Sequence, residues 1–495
     1  MSTWLLGVDI GTSSCKTALF DPDGRVRAAG GSGYPVSYPE KGWAEQDPED
    51  WWGGVCRAIR ETTGTGGIDP ADIAGIGVDG QSWSAVALDG SGNVLCPTPI
   101  WTDTRSGEIC RETAERLTAE KLFALCGNPP QPGYTWPKIL WYRENRPEVF
   151  GRTEKILQSN SYIVYRMTGE ITQDLSQGYG LACFDMRKGC WDEEACGMLG
   201  IPRRFLPEIY PCHQVVGRLT KKAAEETGLK EGTPVVAGGL DAACGTLGAG
   251  VTAPGQTQEQ GGQAGGMSIC IDRYAADPRL ILGFHTVPGR WLLQGGTTGG
   301  GGALKWLRET VCPELSFADM SSLAEQAPAG SGGVIFLPYM AGERSPVWNP
   351  KACGVFFGLN FSVTRGQMIR ACMEGVAYAL RHNLETAASA GARAETLRAM
   401  GGSANSRVWT QIKADVTGCR IEVPASDTAT TLGAAILAGV GTGVYGSFEE
   451  AAGRTVRVKE SYEPARETRA VYERGYETYR KLYPALEEIM DAQEQ

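Results

Sequence analysis

Residues 4–21 read WLLGVDIGTSSCKTALFD, and this stretch decides the fold. Two apolar runs flank the turn IGTSS, which predicts two antiparallel strands joined by a tight connection. Asp9 stands near the end of the first strand, and Gly11 permits the turn that follows it. Such a turn suits a polyphosphate with Mg²⁺ nearby, although the same pattern also fits a plain hairpin connection.

The side chains that follow Asp9 favour the phosphate interpretation. Thr12, Ser13 and Ser14 offer hydroxyl and backbone donors, and Lys16 adds a point charge for a phosphate oxygen. Asp9 is expected to act on Mg²⁺ through water, because this ion gives up its hydration shell reluctantly.

The hairpin pattern returns in the second half of the chain. Residues 259–271, EQGGQAGGMSICI, can be laid under residues 8–20, VDIGTSSCKTALF, without a gap. Gln260 then falls under Asp9, so a carboxylate is replaced by an amide. Each half is therefore expected to begin with the same hairpin, and the first hairpin alone carries the carboxylate for a cation.

The length of 495 residues suits two domains of roughly 250 residues with a cleft between them. Helix-period stretches at 51–62 and 137–145 alternate with apolar runs at 76–79 and 234–238, which predicts a mixed α/β class. The predicted division is 1–248 and 249–495. Beyond Tyr462 the spacing predicts an amphipathic helix that covers a lobe surface, through Val471, Tyr472, Tyr476, Tyr479 and Leu482.

Composition excludes several classes of function. The net charge is −10 with both signs interspersed, so no basic surface for nucleic acid is expected. The 15 cysteines lack paired spacing and follow no secretory signal, which predicts a reduced cytoplasmic location. The sequence shows no membrane span, and His213, His285 and His382 stand apart without the spacing of metal ligands.

A second candidate site lies in residues 233–250, TPVVAGGLDAACGTLGAG. A strand runs into two glycines, and Asp241 follows at the predicted first turn of a helix, a position that favours an ionised carboxylate. An ionised Asp in a cleft can accept a hydroxyl proton during phosphoryl transfer. The alternative is that Asp241 only caps the helix.

Two later glycine clusters precede amphipathic helices, GGTTGGGGALKWL at 295–307 and MGGSANSRVWTQIKAD at 400–415. Helix N-termini and bare glycine backbone suit phosphate and nucleotide. Neither cluster contains a Walker pattern or a dinucleotide-binding GxGxxG, so a P-loop or Rossmann interpretation fails.

Taken together, these motifs resemble the FGGY carbohydrate kinases, a branch of the actin-like, ribonuclease-H-like ATPases, over essentially the whole chain. The resemblance implies a two-domain actin-like fold with its active site in the interdomain cleft, and a reaction that uses ATP and Mg²⁺. The segments that carry it are 7–21, 77–106 (GVDGQSWSAVALDGSGNVLCPTPIWTDTRS), 237–250, 336–359 (FLPYMAGERSPVWNPKACGVFFGL), 400–418 and 430–443 (TTLGAAILAGVGTG).

The resemblance also implies roles for individual residues. Asp241 matches the catalytic base, Asp9 the magnesium-side carboxylate, and Ser82 and Trp83 the two sugar-contacting positions. The positions that match the phosphate loop and the other ATP-binding motifs are Thr12, Ser13, Ser14, Lys16, Gly262, Gln263, Gly301, Gly402 and Ser406.

Residues 131–150, QPGYTWPKILWYRENRPEVF, resemble the pentulose-kinase form of their segment, which implies a ketopentose substrate, D-xylulose, converted to D-xylulose 5-phosphate. Two positions depart from the family pattern. Ser82 and Trp83 stand where its xylulose-phosphorylating members typically carry Met-His, and Gln263 stands where Thr is common. The first departure bears on the sugar, and the second on the contact with phosphate.

Several alternatives remain open from the sequence. The substrate could be another ketose, a polyol or a sugar acid, although no cationic partner for a carboxylate is evident beside Ser82 and Trp83. Glu343 and Arg344 either line the cleft or form an internal ion pair that shapes their loop. The fold also serves nucleotide-dependent binding proteins of weak activity. A homodimer is a further possibility.

Overall fold

A computed structural model describes residues 3–426 and 428–492 as two α/β lobes, each built on a mixed β-sheet. The strands of the first 248 residues are β1 (Trp4–Ile10), β2 (Ser14–Phe20), β3 (Val26–Gly33), β4 (Glu45–Gln46), β5 (Ile73–Gly80), β6 (Val86–Leu88), β7 (Thr98–Pro99), β8 (Lys155–Leu157), β9 (Thr172–Asp174), β10 (Phe184–Asp185), β11 (Cys190–Trp191), β12 (Glu208–Tyr210), β13 (Val215–Arg218), β14 (Pro234–Val236) and β15 (Gly239–Leu240). The helices are α1 (Pro48–Gly66), α2 (Gly107–Leu117), α3 (Ala119–Cys126), α4 (Thr135–Asn145), α5 (Pro147–Arg152), α6 (Ser159–Thr168), α7 (Glu193–Leu199), α8 (Lys221–Thr227) and α9 (Asp241–Gly248).

The remaining described residues form the second lobe and two helices that pack on the first. Their strands are β16 (Gln256–Gly261), β17 (Gly265–Ile271), β18 (Ile281–Phe284), β19 (Trp291–Thr297), β20 (Ile335–Leu337), β21 (Val355–Phe357), β22 (Thr396–Met400), β23 (Arg420–Pro424) and β24 (Val458–Tyr462). Their helices are α10 (Gly301–Val311), α11 (Phe317–Gln326), α12 (Arg365–Ser389), α13 (Arg407–Thr417), α14 (Ala429–Gly441), α15 (Phe448–Thr455) and α16 (Arg469–Asp491).

The two sheets repeat one topology. The first has the order β13-β14-β5-β1-β2-β3, and the second has the order β18-β19-β17-β16-β22-β23-β24. In both, an antiparallel hairpin is followed by two parallel neighbours, β5 and β14 in the first and β22 and β23 in the second. The α/β class and the repeated hairpin predicted from the sequence are confirmed.

The gapless superposition of the two hairpins is wrong by one residue after the turn. Ile10 pairs with Cys15 across a loop of residues 11–14, whereas Gly261 pairs with Gly265 across a shorter loop, 262–264. The second loop is tighter because it packs on the start of α10, where a Cβ on Gly300 would lie 2.4 Å from the Gly265 nitrogen. The first strands still correspond, so Asp9 and Gln260 occupy equivalent positions.

Local signals account for the predicted elements. The helical stretches at 51–62 and 137–145 lie within α1 and α4, and α1 begins at Pro48 after Asp47, whose carboxylate accepts the Glu49 amide hydrogen at 2.9 Å. The C-terminal amphipathic helix is confirmed as α16, which buries Tyr472, Tyr476, Tyr479 and Leu482 against the second lobe. Among residues 3–426 and 428–492, no helix is both long and apolar enough to span a bilayer.

Helix α14 packs on the first sheet, although it lies in the second half of the chain. A Cβ on Gly7 would lie 2.0 Å from the Thr431 carbonyl oxygen, and one on Gly77 would lie 1.8 Å from that of Ala434. Glycine is therefore required where the helix backbone meets the strands. Gly77 meets Ala434, whereas Gly75, which is two residues earlier in β5, meets Ala438, which is one turn later in α14. The helix therefore runs antiparallel to β5, and its N-terminus lies at the carboxyl ends of β1 and β5. The domain division at residue 248 stays a prediction.

Candidate active site

The first hairpin presents its turn at the carboxyl edge of the first sheet. The Gly11 amide donates to the Ser14 carbonyl at 3.1 Å and closes the turn, and Ser13 is exposed at its tip. The Thr12 hydroxyl accepts a hydrogen bond from the Trp101 indole at 2.9 Å, so this oxygen is held in place. The turn is therefore a preformed loop with an exposed serine.

Asp9 and Lys16 are register partners across the hairpin, which places both side chains on one face of the sheet. Burial raises the pKa of Asp9, while interactions with Asp79 and with the Lys16 ammonium offset part of that rise. Lys16 itself is exposed and can reach a ligand in the cleft.

Asp79 is a functional candidate that the sequence interpretation missed. The tripeptide Gly-Val-Asp occurs at 7–9 and again at 77–79, and the two copies pair residue for residue in parallel strands β1 and β5. Asp79 is 0% exposed, and among the described residues its carboxylate oxygens have no donor other than the carboxyl group of Asp9. Burial, together with the charges of Asp9 and Asp241, raises the pKa of Asp79 well above its ordinary value. The repeated tripeptide was the available signal.

Asp241 is the first residue of α9, and its carboxylate accepts the Ala242 amide hydrogen at 2.6 Å. The sequence predicted a carboxylate that the helix terminus keeps ionised. Instead, burial and the neighbouring charge of Asp9 raise the pKa of Asp241 to about 7, because they outweigh the Ala242 hydrogen bond. A carboxyl group with this pKa is suited to accept a proton near neutral pH.

Ser82 and Trp83 follow β5 on the same side of the lobe. Ser82 lines the cavity between the lobes, together with Tyr179. The half-buried Trp83 indole packs edge-on against Tyr134 and Tyr179, with ring centroids 4.7 and 5.8 Å away. Trp83 has a φ of 55°, in the left-handed region that bulky residues rarely adopt.

The buried Lys138 side chain stabilises the backbone of this strained segment. Its ammonium group is 0% exposed and donates to the carbonyl oxygens of Trp83 at 2.8 Å, Ile100 at 2.8 Å and Gly133 at 2.7 Å. Burial lowers the pKa of Lys138 to about 7, although Asp103 opposes this shift. A left-handed backbone costs about 1–3 kcal/mol at a non-glycine residue and persists only where its surroundings impose it. Lys138 therefore positions the segment that carries Ser82 and Trp83, and the sequence interpretation did not identify it.

A cavity of about 380 Å³ separates the lobes next to Asp241. The residues that line it come from both lobes: Ser82, Tyr179, Leu240, Ala242, Gln258, Gln260, Gly262, Gln263, Ala264, Gly265, Gly266, Met267, Ser268, Ile281, Gln294, Gly295, Gly296, Arg344 and Ser345. The lining from the second lobe is rich in amides, hydroxyls and glycine backbone. This composition suits a polar ligand with several hydroxyl groups.

Arg344 contributes a cation to this cavity, which corrects the expectation that no cationic partner lies near the sugar segment. The internal ion pair with Glu343 is also not formed. Glu343 is buried and accepts hydrogen bonds from the Thr297 hydroxyl at 2.6 Å, the Thr298 amide at 3.2 Å and the Arg344 amide at 2.6 Å. In the described part of the chain, no carboxylate lies within 4.0 Å of the exposed Arg344 guanidinium. Glu343 shapes the loop, and Arg344 remains free for a ligand.

The predicted ATP-side residues fall into two groups on the second lobe. Gly262 and Gln263 form the second hairpin loop and line the cavity. Their carbonyl oxygens accept the amide hydrogens of Gly301 at 2.7 Å and Gly302 at 2.9 Å. These two amides at the start of α10 are therefore committed to the loop, which leaves the Gln263 side chain as the polar group at this turn.

Gly402 begins a short 3-10 turn, residues 402–405, and Ser406 is the residue immediately before α13. No atom lies within 4 Å of the position that a Cβ on Gly402 would take, so this backbone is open to a flat ligand. Ser406 caps α13 by accepting the Trp409 amide hydrogen at 3.4 Å and lines a separate cavity of about 760 Å³ with Asn405. The adjacent Gly401 packs on Gly261, which connects this group to the second hairpin.

The carboxyl edge of the first sheet carries oxygen ligands of the kind that Mg²⁺ prefers. Within residues 3–426 and 428–492, no three His, Cys, Asp or Glu side chains converge as a metal-binding group. Asp9 and Asp79 provide carboxylates at one edge of the first sheet. Since Mg²⁺ in phosphoryl-transfer sites is held by one or two carboxylates and by substrate phosphates, this donor set fits the ion.

Comparison with known protein families gives two matches. Residues 4–248 match the N-terminal domain of the FGGY family of carbohydrate kinases, and residues 275–442 match its C-terminal domain.

Individual proteins are similar over nearly the whole chain. The chain is 31% identical to the xylulose kinase of Bacillus subtilis strain 168 over 99% of this chain and 98% of that protein. It is 30% identical to the gluconokinase of the same organism, over 91% of this chain and 90% of that protein. The crystal structure of xylulose kinase from Rhodospirillum rubrum superposes with a TM-score of 0.93 at 32% identity, covering 99% of this chain and 100% of that one.

Proposed function

Because the chain belongs to the FGGY family of carbohydrate kinases, and is therefore a sugar phosphotransferase, we propose that it uses Mg-ATP to phosphorylate D-xylulose to D-xylulose 5-phosphate. The observation that carries the proposal is Asp241, a carboxyl group with a pKa of about 7 beside a polar cavity whose walls come from both lobes. The similarity to xylulose kinases over 98–99% of the chain supports the choice of sugar.

In the proposed reaction, a primary hydroxyl oxygen of the sugar forms a bond to the γ-phosphorus of ATP. The bond from that phosphorus to the β–γ bridging oxygen breaks, ADP leaves, and the hydroxyl proton passes to Asp241. Mg²⁺ bound with ATP would neutralise phosphate charge, with Asp9 as its carboxylate on the protein. Positioning and electrostatic stabilisation supply most of the rate in such reactions.

The remaining residues orient the two substrates. Ser82 offers a hydroxyl to the sugar, and Tyr179 forms an adjoining wall of the cavity. Lys16, from the first hairpin, supplies a positive charge for a phosphate oxygen, and Gln263 supplies an amide from the facing loop. A cavity bounded by both lobes also limits access of water, which would otherwise compete for the phosphoryl group.

Phosphorylation of a sugar acid is a second candidate, because Arg344 lines the same cavity as Ser82 and Tyr179. A guanidinium without a carboxylate partner can bind a substrate carboxylate in a bidentate manner. The gluconokinase of Bacillus subtilis, which is 30% identical to this chain, is named for a sugar acid.

The test is ADP release with Mg-ATP across a panel of D- and L-ketopentoses, tetritols, pentitols, glycerol and sugar acids. Turnover with D-xylulose, abolished by Asp241→Asn, would support the first candidate. Turnover with an aldonate, whose KM rises in Arg344→Gln while that of neutral sugars does not, would support the second. If no member of the panel stimulates ADP release, a nucleotide-dependent binding protein would be favoured. The homodimer, the cytoplasmic location and the absence of a nucleic-acid partner stay predictions from the sequence.

A further inference from the structure

The duplicated tripeptide Gly-Val-Asp places two carboxylates side by side. Asp9 and Asp79 are register partners in parallel strands, so their side chains leave the sheet on the same face, with Cα atoms roughly 4.8 Å apart. That face carries α9 and α14, whose N-termini lie at the same edge of the sheet. Asp9 is partly exposed, whereas Asp79 is fully buried.

The surroundings of Asp79 argue against a structural role. A buried carboxylate destabilises a fold unless hydrogen-bond donors satisfy it, and the described residues offer Asp79 no donor other than the neighbouring carboxyl group of Asp9. Asp174, in the same lobe and equally buried, is a structural carboxylate whose oxygens are satisfied by hydrogen-bond donors. It accepts hydrogen bonds from the Ser176 amide at 2.9 Å, the Gln177 amide at 3.1 Å and the Asn160 side chain at 2.9 Å.

A buried carboxylate with no donor besides a second carboxyl group, at the edge of a phosphate-binding cleft, points to a cation. The β1–β2 hairpin supplies one ammonium group here, from Lys16, against the carboxylates of Asp9, Asp79 and Asp241. Once ionised, the three carboxylates outnumber this ammonium group and favour a bound cation. Mg²⁺ in phosphoryl-transfer sites commonly binds one or two carboxylates, with the other positions filled by water and substrate phosphates.

We propose that Asp79 is the second carboxylate of the divalent-cation site and acts with Asp9 to hold the Mg²⁺ that accompanies the nucleotide. This inference rests on the proposed function, since the phosphates supply the ligands that two carboxylates cannot. It goes beyond the resemblance, which assigned the cation to Asp9 alone.

The test measures Mn²⁺ binding by electron paramagnetic resonance in the presence of ADP. We compare the wild-type protein, Asp79→Asn, Asp9→Asn and the control Asp89→Asn, which changes an exposed turn of the same lobe. Asp79→Asn is expected to weaken Mn²⁺ binding roughly 10- to 100-fold, without lowering the midpoint of thermal unfolding. Asp89→Asn should bind Mn²⁺ as the wild type does.

Two outcomes would overturn the inference: an unchanged Mn²⁺ affinity in Asp79→Asn, or a clear loss of its thermal stability, which would indicate a structural carboxylate like Asp174. Failure of the proposed function gives a different result. In that case the wild-type protein itself would bind no more Mn²⁺ with ADP than without it. Binding of ADP in the presence of a chelator verifies that the nucleotide site of each variant is intact.

Discussion

Lowering the pH from 8 to 6 should reduce kcat/KM for Mg-ATP about tenfold if Asp241 is the general base. The magnitude follows from its pKa of about 7. At pH 8 about nine-tenths of the protein carries an ionised Asp241, and at pH 6 about one-tenth does. An aspartate at its ordinary value of 3.8 would stay ionised throughout this range, and the rate would not change.

The raised pKa of Asp241 should affect kcat/KM and kcat at different pH values, because one of its two causes, the charge of Asp9, changes when ligands bind. Burial and the charge of Asp9 both raise the pKa of Asp241 in the protein without nucleotide, which kcat/KM reports. In the bound complex, the cation proposed to lie beside Asp9 would offset the charge of this carboxylate. We therefore expect kcat to decline at a lower pH than kcat/KM does.

The assay quantifies ADP directly in quenched samples, with the sugar that the panel identifies, so that no coupling enzyme adds its own pH dependence. Thermal unfolding provides an independent control. Since the folded-state pKa of Asp241 is raised, its ionised form opposes folding, and its contribution to stability decreases as the pH rises from about 4 to about 7. Asp241→Asn should therefore be inactive and should gain stability relative to the wild type at pH 8 more than at pH 4. A pH-independent kcat/KM between 6 and 8 would refute the reasoning.

Two further predictions concern the packing that positions the site. Lys138→Met removes the hydrogen bonds to the carbonyl oxygens of Trp83, Ile100 and Gly133, so the sugar KM should rise by roughly tenfold or more with little change in the KM for Mg-ATP. An unchanged sugar KM would contradict this role. Gly77→Ala places a Cβ 1.8 Å from the Ala434 carbonyl oxygen, so we expect a loss of about 1–3 kcal/mol in urea unfolding. Gly64→Ala, in open space on α1, is the matched control and should be neutral or stabilising, and equal effects of the two substitutions would be inconsistent with the packing argument.

The sequence alone determined the features that depend on neighbouring residues. Turn chemistry and apolar periodicity identified the first hairpin, its repeat and the amphipathic α16, and the order of motifs identified the α/β class. The placement of Asp9 near the end of a strand and of Asp241 at the start of a helix followed from the same local signals. Such signals reside in a few consecutive residues, so one sequence is sufficient to detect them.

The tertiary structure alone decided which distant groups meet. Asp79 became a candidate only when strand register placed it beside Asp9, 70 positions earlier in the chain. The sequence left open whether Arg344 lines the cleft or pairs with Glu343, and only the structure placed Arg344 at the cavity and gave Glu343 other hydrogen bonds. The pKa of Asp241 depends on burial and on a charge that another strand carries. Register, burial and electrostatic coupling are properties of packed surfaces between segments far apart in sequence, and no local pattern encodes them.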